Sequence, residues 1–297
     1  MRITDGMLRA ATLVNIQRSQ SRAFDAQEEV STGRRINHAS DDADGAARSV
    51  RLRGQLAGIQ RQGQNADAAS SWLEATESSL GEVSGILQRV RELSVQAGNS
   101  TLSATDRAAI ADEIDQLAAS VHDEANTQLD GRHLFSGAQT ATRPYAAGSD
   151  AYLGGRSGQD VVALDIGPGV SVQVNTPGLP LFGEGTAAAD GLVFDTLRAL
   201  SAGIRTGTTP NLQALDRNIT AVVDARAAAG ATQNRVDAAK SRLQDLEDAT
   251  TKLLSDTEDA DMAKAIMTLS TQQSAYQAAL QSGASVMQQR TLMDFLS

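Results

Sequence analysis

All five prolines of this 297-residue chain, at 144, 168, 177, 180 and 210, fall in one window, and residues 1–143 and 211–297 contain none. A proline inside a helix loses a backbone hydrogen bond and clashes with the preceding turn. Two long proline-free flanks around a proline-bearing insert therefore predict one helical body drawn from both ends of the sequence. Such a layout brings the termini together as a pair of helical arms. Aromatic residues make up only 3% of the chain, with a single tryptophan, Trp72. So few bulky side chains suit slim helices packed side by side better than a thick globular core.

The net charge of −10 and the pI near 4.8 argue against nucleic acid as a partner, because that ligand rewards basic surfaces. No stretch approaches the roughly 20 apolar residues that span a bilayer, so no membrane partner is expected. The opening Met1-Arg2-Ile3-Thr4-Asp5-Gly6 has no apolar segment of the kind a cleaved signal peptide carries. Cysteine is absent, so disulfides contribute nothing to stability. Both a cytosolic protein and one exported without a cleavable leader fit these features.

Along the first arm, Ile3, Met7, Ala10, Val14, Gln17, Ser21, Phe24 and Glu28 alternate in steps of four and three, as a helix seam requires. Three of the eight are polar, so the seam is sparse. Ser31-Thr32-Gly33 and Asn37-His38-Ala39-Ser40 read as a break, with Ser40 as the N-cap of a second helix and Asp41, Asp42 and Asp44 in its first turn. That helix runs to about 97, through Leu73, Thr76, Leu80, Val83, Leu87, Val90 and Ser94, and ends at Gly98-Asn99-Ser100. At 1.5 Å per residue it would extend roughly 85 Å. Another starts near Ser103 or Thr105, carries Ile110, Ile114, Leu117 and Val121, and stops at Gly131. These two are expected to pair as an antiparallel hairpin.

The middle has a different pattern. Twelve of the 25 glycines lie between 144 and 210. Val162, Leu164 and Ile166, then Gly167-Pro168-Gly169, then Val170, Val172 and Val174 read as two strands around a turn. Helical pattern returns over Leu192–Ile204 and again after Pro210, a residue suited to a first helical turn. It continues through Leu212, Leu215, Ile219, Val222, Val236, Leu243, Leu246 and Leu253. The last arm carries Met262, Ile266, Leu269, Gln273, Tyr276, Leu280, Gly283 and Met287 in four-three steps. The expected organisation is an N-terminal arm (1–40), two halves of a helical core (41–138 and 191–254), a small β-rich middle domain (139–190) and a C-terminal arm (255–297). Each arm is too sparsely apolar to hold its shape against a single partner helix, so both should gain order among copies of the chain. A closed intramolecular coiled coil is the alternative.

Chemistry-bearing patterns are scarce. His38, His122 and His133 have no ligand-like spacing, and His38 beside Asp41 and Asp42 reads as a capping loop. The run Asp256, Glu258, Asp259 and Asp261 lacks the glycine and alternation of a calcium loop, and reads as a solvated helix start. Gly167-Pro168-Gly169 has no phosphate-loop continuation, and no nucleophile elbow is present. No catalytic, cofactor or metal residues are assigned, and the chain is not expected to be an enzyme.

Several segments resemble the bacterial flagellin superfamily: GRRINHASDD at 33–42, LQRVRELSVQ at 87–96, GATQNRVD at 230–237 and LLSDTEDADMA at 253–263. The likeness covers both flanks in the family's order. Two branches of the superfamily compete, the filament flagellins and the hook–filament junction proteins (hook-associated protein 3). GRHLFSG at 131–137 followed by Arg143-Pro144-Tyr145, and the ending TLMDFLS at 291–297, resemble the junction branch, whereas 87–96 is strongly flagellin-like.

The resemblance implies a mainly α fold: a long antiparallel helical bundle with paired N- and C-terminal coiled-coil arms and a small β-rich middle domain. It implies a structural role as an adaptor ring joining hook to filament, with the filament subunit as the alternative and a cytosolic coiled-coil scaffold as the rival from another class. Implied partners are further copies in a ring, a hook-associated protein on the hook side, flagellin on the filament side, and a cytosolic export chaperone on the C-terminal arm. The implied location is the extracellular flagellum, reached by type III export without a cleaved signal peptide. Assembly contacts would fall on Ile3, Met7, Val14 and Phe24 in one arm. In the other they would fall on Met262, Ile266, Leu269, Tyr276, Leu280, Met287, Leu292, Phe295 and Leu296. Gln88, Arg89, Arg91, Glu92 and Leu93 match the flagellin stretch used for lateral contacts, and Arg89 and Leu93 align with what an innate immune receptor reads.

Overall fold

In a computed structural model, which describes residues 5–99, 102–146, 151–155, 161–184 and 190–288, the chain is mainly helical. The helices are α1 (Asp5–Thr32), α2 (Ala43–Ala97), α3 (Ala104–Ala125), α4 (Leu179–Phe182), α5 (Val193–Thr206), α6 (Leu212–Glu258) and α7 (Met262–Gln288). The described residues also form four short strands: β1 (Gln128–Leu129), β2 (Arg132–His133), β3 (Ala163–Gly167) and β4 (Val170–Gln173). The residues group into two compact units, one of 1–58 with 246–297 and one of 59–245. Among the described residues no helix is long and apolar enough to cross a membrane.

The second unit is organised by α2. Ala66, Ala69, Leu73, Thr76, Leu80, Val83, Leu87, Val90 and Ser94 are all buried, in unbroken three-four steps. Thr76 Oγ1 is satisfied inside the stripe by donating to the Trp72 carbonyl at 2.9 Å. On α6 the buried positions Leu215, Val222, Ala229, Val236 and Leu243 recur every seventh residue, the period of a coiled-coil seam. Lys240–Asp67 (2.7 Å) and Arg91–Asp216 (2.7 Å), with Arg226–Glu77 between them, fix α6 antiparallel to α2. Ser79 Oγ to Glu124 Oε2 (2.8 Å) and Arg89 to Glu113 (2.8 Å) do the same for α3. The expected α2–α3 hairpin is therefore present.

Helix starts follow the capping chemistry, with two shifts from the sequence expectation. Ser103 and Asp106 form a capping box at the head of α3. For α2 the cap is Asp42 rather than Ser40: Asp42 Oδ1 accepts from the Gly45 amide at 2.9 Å, and the Asp42 carbonyl accepts from Ala46. Asn211 caps α6, its Oδ1 accepting from the Ala214 amide at 3.3 Å, so Pro210 is not in the first helical turn as expected. Pro210 stands one residue earlier, outside the helix.

Helix α3 ends at Ala125, six residues short of the expected stop at Gly131. In between, β1 and β2 form an antiparallel hairpin pairing Gln128 with His133 and Leu129 with Arg132. Its two-residue turn is Asp130 (φ 50°) and Gly131 (φ 74°), the left-handed pair that matches strand twist. Strands β3 and β4 pair antiparallel around Pro168-Gly169, with Leu164 opposite Val172. Asn65 of α2 donates to the Asp165 carbonyl at 2.9 Å and anchors this hairpin.

Low aromatic content conceals a concentration of rings. Phe135, Tyr145, Phe182 and Phe194 lie within the second unit in edge-on contacts, with Tyr145 and Phe194 4.9 Å apart and Phe135 and Phe182 5.3 Å apart. Tyr152 adds a fifth ring 5.3 Å from Tyr145. The Tyr145 hydroxyl lies 3.1 Å from the Gly183 carbonyl and 3.3 Å from that of Gly178. Five of the nine aromatic residues in the chain thus clasp the insert onto the α3–α5 pair.

Candidate assembly interface

Within the first unit, the segments 33–42 and 253–263, about 220 residues apart in sequence, form one joint at the base of the arms. The Arg35 and Ile36 amides donate to the Glu258 carbonyl at 2.7 and 3.4 Å, and the Ala260 amide donates to the Gly33 carbonyl at 2.9 Å. Arg35 Nη2 donates to the Thr257 carbonyl at 2.8 Å. At the centre, the Glu258 side chain accepts from Arg53 and lies 3.5 Å from Arg34.

Glu258 is 3% exposed, which corrects the reading of 256–261 as a solvated helix start at that one residue; Asp256, Asp259 and Asp261 are exposed. A buried carboxylate persists only where it is paired and hydrogen-bonded. Asp261 starts the next helix, its Oδ1 accepting from the Ala263 and Lys264 amides at 3.0 and 3.2 Å. On the other strand of the joint, Asp41 Oδ2 accepts from the His38 and Asn37 amides at 2.7 and 3.0 Å. The His38 amide is the main cause of an Asp41 pKa below the ordinary aspartate value. The Gly45 amide, helped by Arg35, does the same for Asp42.

Beyond the joint, α1 and α7 run antiparallel as paired helices; the seam on α1 is not the one expected, whereas on α7 Leu269, Tyr276 and Gly283 of the expected seam lie in it. The seam runs through the covered positions Thr12, Ile16, Ser19, Ala23 and Ala26 of α1 and Ala265, Leu269, Gln272, Tyr276, Ala279 and Gly283 of α7, with Gln20 and Thr268 partly covered beside it. Both sets step by four and three, so the helices do form a coiled-coil pair. Most of these side chains are small. A Cβ on Gly283 would stand 2.6 Å from Ile16 Cδ1 and 3.4 Å from Thr12 Cγ2, so glycine permits the close approach. Small residues explain how the arms can pair within one chain although their large apolar residues are too few to do it.

Those large residues face outward. Met7 is 63% exposed, Phe24 60% and Ile266 54%, and Leu13, Val14, Met262, Met267 and Leu280 are exposed as well. Of the expected contact residues, then, Met7, Val14, Phe24, Met262, Ile266 and Leu280 share the solvent-facing surface of the arm pair. Leu269 and Tyr276 are partly covered in the seam. Ile3, Leu292, Phe295 and Leu296, and the side chain of Met287, lie outside the described residues.

The stretch on α2 divides in the same way. Gln88, Arg89, Arg91 and Glu92 are exposed, whereas Leu93 is buried in the helical core and offers no side-chain surface to a neighbour. Arg89 is held by Glu113 and by Glu92 at 3.2 Å, and Arg91 by Asp216. Three features were missed in the sequence: the Glu258 centre, the small-residue seam of α1 and the Asp130-Gly131 hairpin. The last had an available signal, since an Asp-Gly pair between strand-forming residues marks a two-residue turn.

The model of the bacterial flagellin N-terminal helical region matches residues 3–140, and that of the C-terminal helical region matches 212–296. The flagellin of Bacillus subtilis is 32% identical over 281 residues, covering 89% of each chain. The chain belongs to the bacterial flagellin family. Among solved structures, this family member is similar to FlgL of Bacillus cereus, with 25% identity, a TM-score of 0.57, and coverage of 69% of this chain and 99% of that one. The flagellar junction protein FlgL from Legionella pneumophila shares the fold at 17% identity and a TM-score of 0.57, over 71% of this chain and 99% of that one. The segments that form the joint, 33–42 and 253–263, fall one in each matched region.

Proposed function

We propose that this flagellin-family chain is a structural, non-enzymatic subunit of the bacterial flagellum that assembles with its own copies as an adaptor between hook and filament. The observation that carries the structural role is the arm pair. Its helices close on each other through Ala26, Ala265 and Gly283 and leave Met7, Val14, Phe24, Met262, Ile266 and Leu280 to solvent. Apolar stripes on a helix pair are covered when further helices pack around it. Similar arms from neighbouring subunits supply such helices, and the exposed Gln88, Arg89, Arg91 and Glu92 supply polar lateral contacts. The likeness to Bacillus cereus FlgL over nearly all of that chain supports the junction position.

A hook-associated protein on one side and flagellin on the other complete the proposed set of neighbours. An export chaperone covers the C-terminal arm before type III export. Residues 1–40 and 255–297 serve as the assembly arms and 139–190 as the middle domain. The second reading is the filament subunit itself, favoured by the 32% identity to the Bacillus subtilis flagellin over most of both chains. Immunogold labelling of isolated flagella separates the two. Label confined to one point between hook and filament is the expected result, and label along the filament would overturn the junction assignment. Deletion of the gene should also leave hooks without filaments while flagellin is shed into the medium.

A further inference from the structure

The six methionines of the chain are residues 1, 7, 262, 267, 287 and 293, and none lies between Met7 and Met262. All six therefore sit on the two arms. A methionine that fills a gap in a core is buried, yet Met7, Met262 and Met267 are 63, 41 and 65% exposed. Met7 is one heptad from Val14 and Met262 one turn from Ile266, so both accompany the outward stripe; Met267 is exposed on a neighbouring face of α7. The chain has no cysteine, so no thiol competes with these thioethers as the more reactive sulfur.

We infer that Met7, Met262 and Met267 are separate points of reversible oxidation on the arm pair, at which a peroxide takes the unassembled subunit out of assembly. The inference rests on the proposed assembly role of the same stripe. In the reaction a sulfur lone pair attacks one oxygen of hydrogen peroxide and the O–O bond breaks. The sulfur becomes a sulfoxide, losing two electrons, and the other oxygen leaves as water. The change turns a flexible apolar side chain into a polar one and is undone by methionine sulfoxide reductases. A sulfoxide oxygen buried without a donor opposes packing of a neighbour's helix on the stripe. Packing in turn hides the thioethers, so assembled subunits resist.

The test uses the full-length protein and hydrogen peroxide. Peptide mapping follows oxidation at each methionine, and sedimentation follows self-association before and after treatment. Oxidation of Met7, Met262 and Met267 should weaken association tenfold or more, and reductase treatment should restore it. M7L/M262L/M267L should associate as the wild type does and keep doing so after peroxide. Undiminished association of the oxidised protein, or an equal loss in the leucine variant, would overturn the inference. If the untreated protein never associates, the assembly reading itself falls and this inference with it, an outcome distinct from association that survives oxidation.

Discussion

Replacing Arg53 tests whether the arm joint is held by the pairing of a buried charge. Removing one partner of a buried ion pair costs about 3–5 kcal/mol when the remaining charge is stranded. In R53A Glu258 is not stranded, because Arg34 stays 3.5 Å away, and both arginines are about half exposed. Solvent screening reduces the loss, to about 1.5 kcal/mol, or roughly a tenfold increase in local opening. R34A/R53A removes both partners and should approach about 3 kcal/mol, roughly a hundredfold. E258Q removes the buried charge while the arginines return to water, so it should fall below the double variant. Native-state hydrogen exchange at the Arg35, Ile36 and Ala260 amides reads this opening directly, since all three bond across the joint. Exchange in E258Q as fast as in R34A/R53A would refute the reasoning. It would mean that contact loss, rather than a stranded carboxylate, sets the effect.

F182A empties the centre of the ring clasp and should cost about 3–5 kcal/mol, read as a lower urea midpoint of unfolding. G283L drives a branched side chain into the space of Ile16 and Thr12. Limited proteolysis of α1 and α7 should then quicken at least severalfold, and an unchanged rate would remove the close approach as the reason for the arms' pairing. Asp41 and Asp42 have pKa values below the ordinary aspartate value of 3.8 because backbone amides donate to them. Their contribution is complete above that value and lost as pH falls through the depressed ones. Amide chemical shifts of Asn37, His38 and Gly45 should therefore hold steady down to about pH 4 and move below it.

Regular helix and strand were readable where burial follows a strict period. The α2 stripe from Leu73 to Ser94 and the alternation through Val162–Val174 both appear in the structure as expected. The arm seam was misplaced on α1 because large apolar residues were taken as its markers. Close packing of α1 and α7 selects for small ones, and Ala23, Ala26 and Ala265 carry little hydropathic signal; on α7 the expected steps did include Leu269, Tyr276 and Gly283. Glu258 was misread for a similar reason. Nothing local separates one buried acid from the solvated acids beside it; its partners Arg34 and Arg53 stand more than 200 positions away. The ring clasp was hidden by averaging, since a low overall aromatic content says nothing of where the rings gather. The contact residues were identifiable as apolar arm positions, but their exposure depends on which face the partner helix takes.

Helices α3 and α5 run antiparallel, tied by Arg205 to Asp112 at 2.7 Å and by Ser201 to the Ala111 carbonyl. The rings of His122, near the end of α3, and Phe194, at the start of α5, consequently stand 6.0 Å apart. The chain between them therefore leaves and re-enters the α3–α5 pair at neighbouring points. The entropic penalty for a longer loop between fixed ends rises only logarithmically with its length. Length can therefore be added in the unpaired parts of this segment at little cost while α3 and α5 keep their register, which lets such parts diversify independently of the helices that hold the ring clasp.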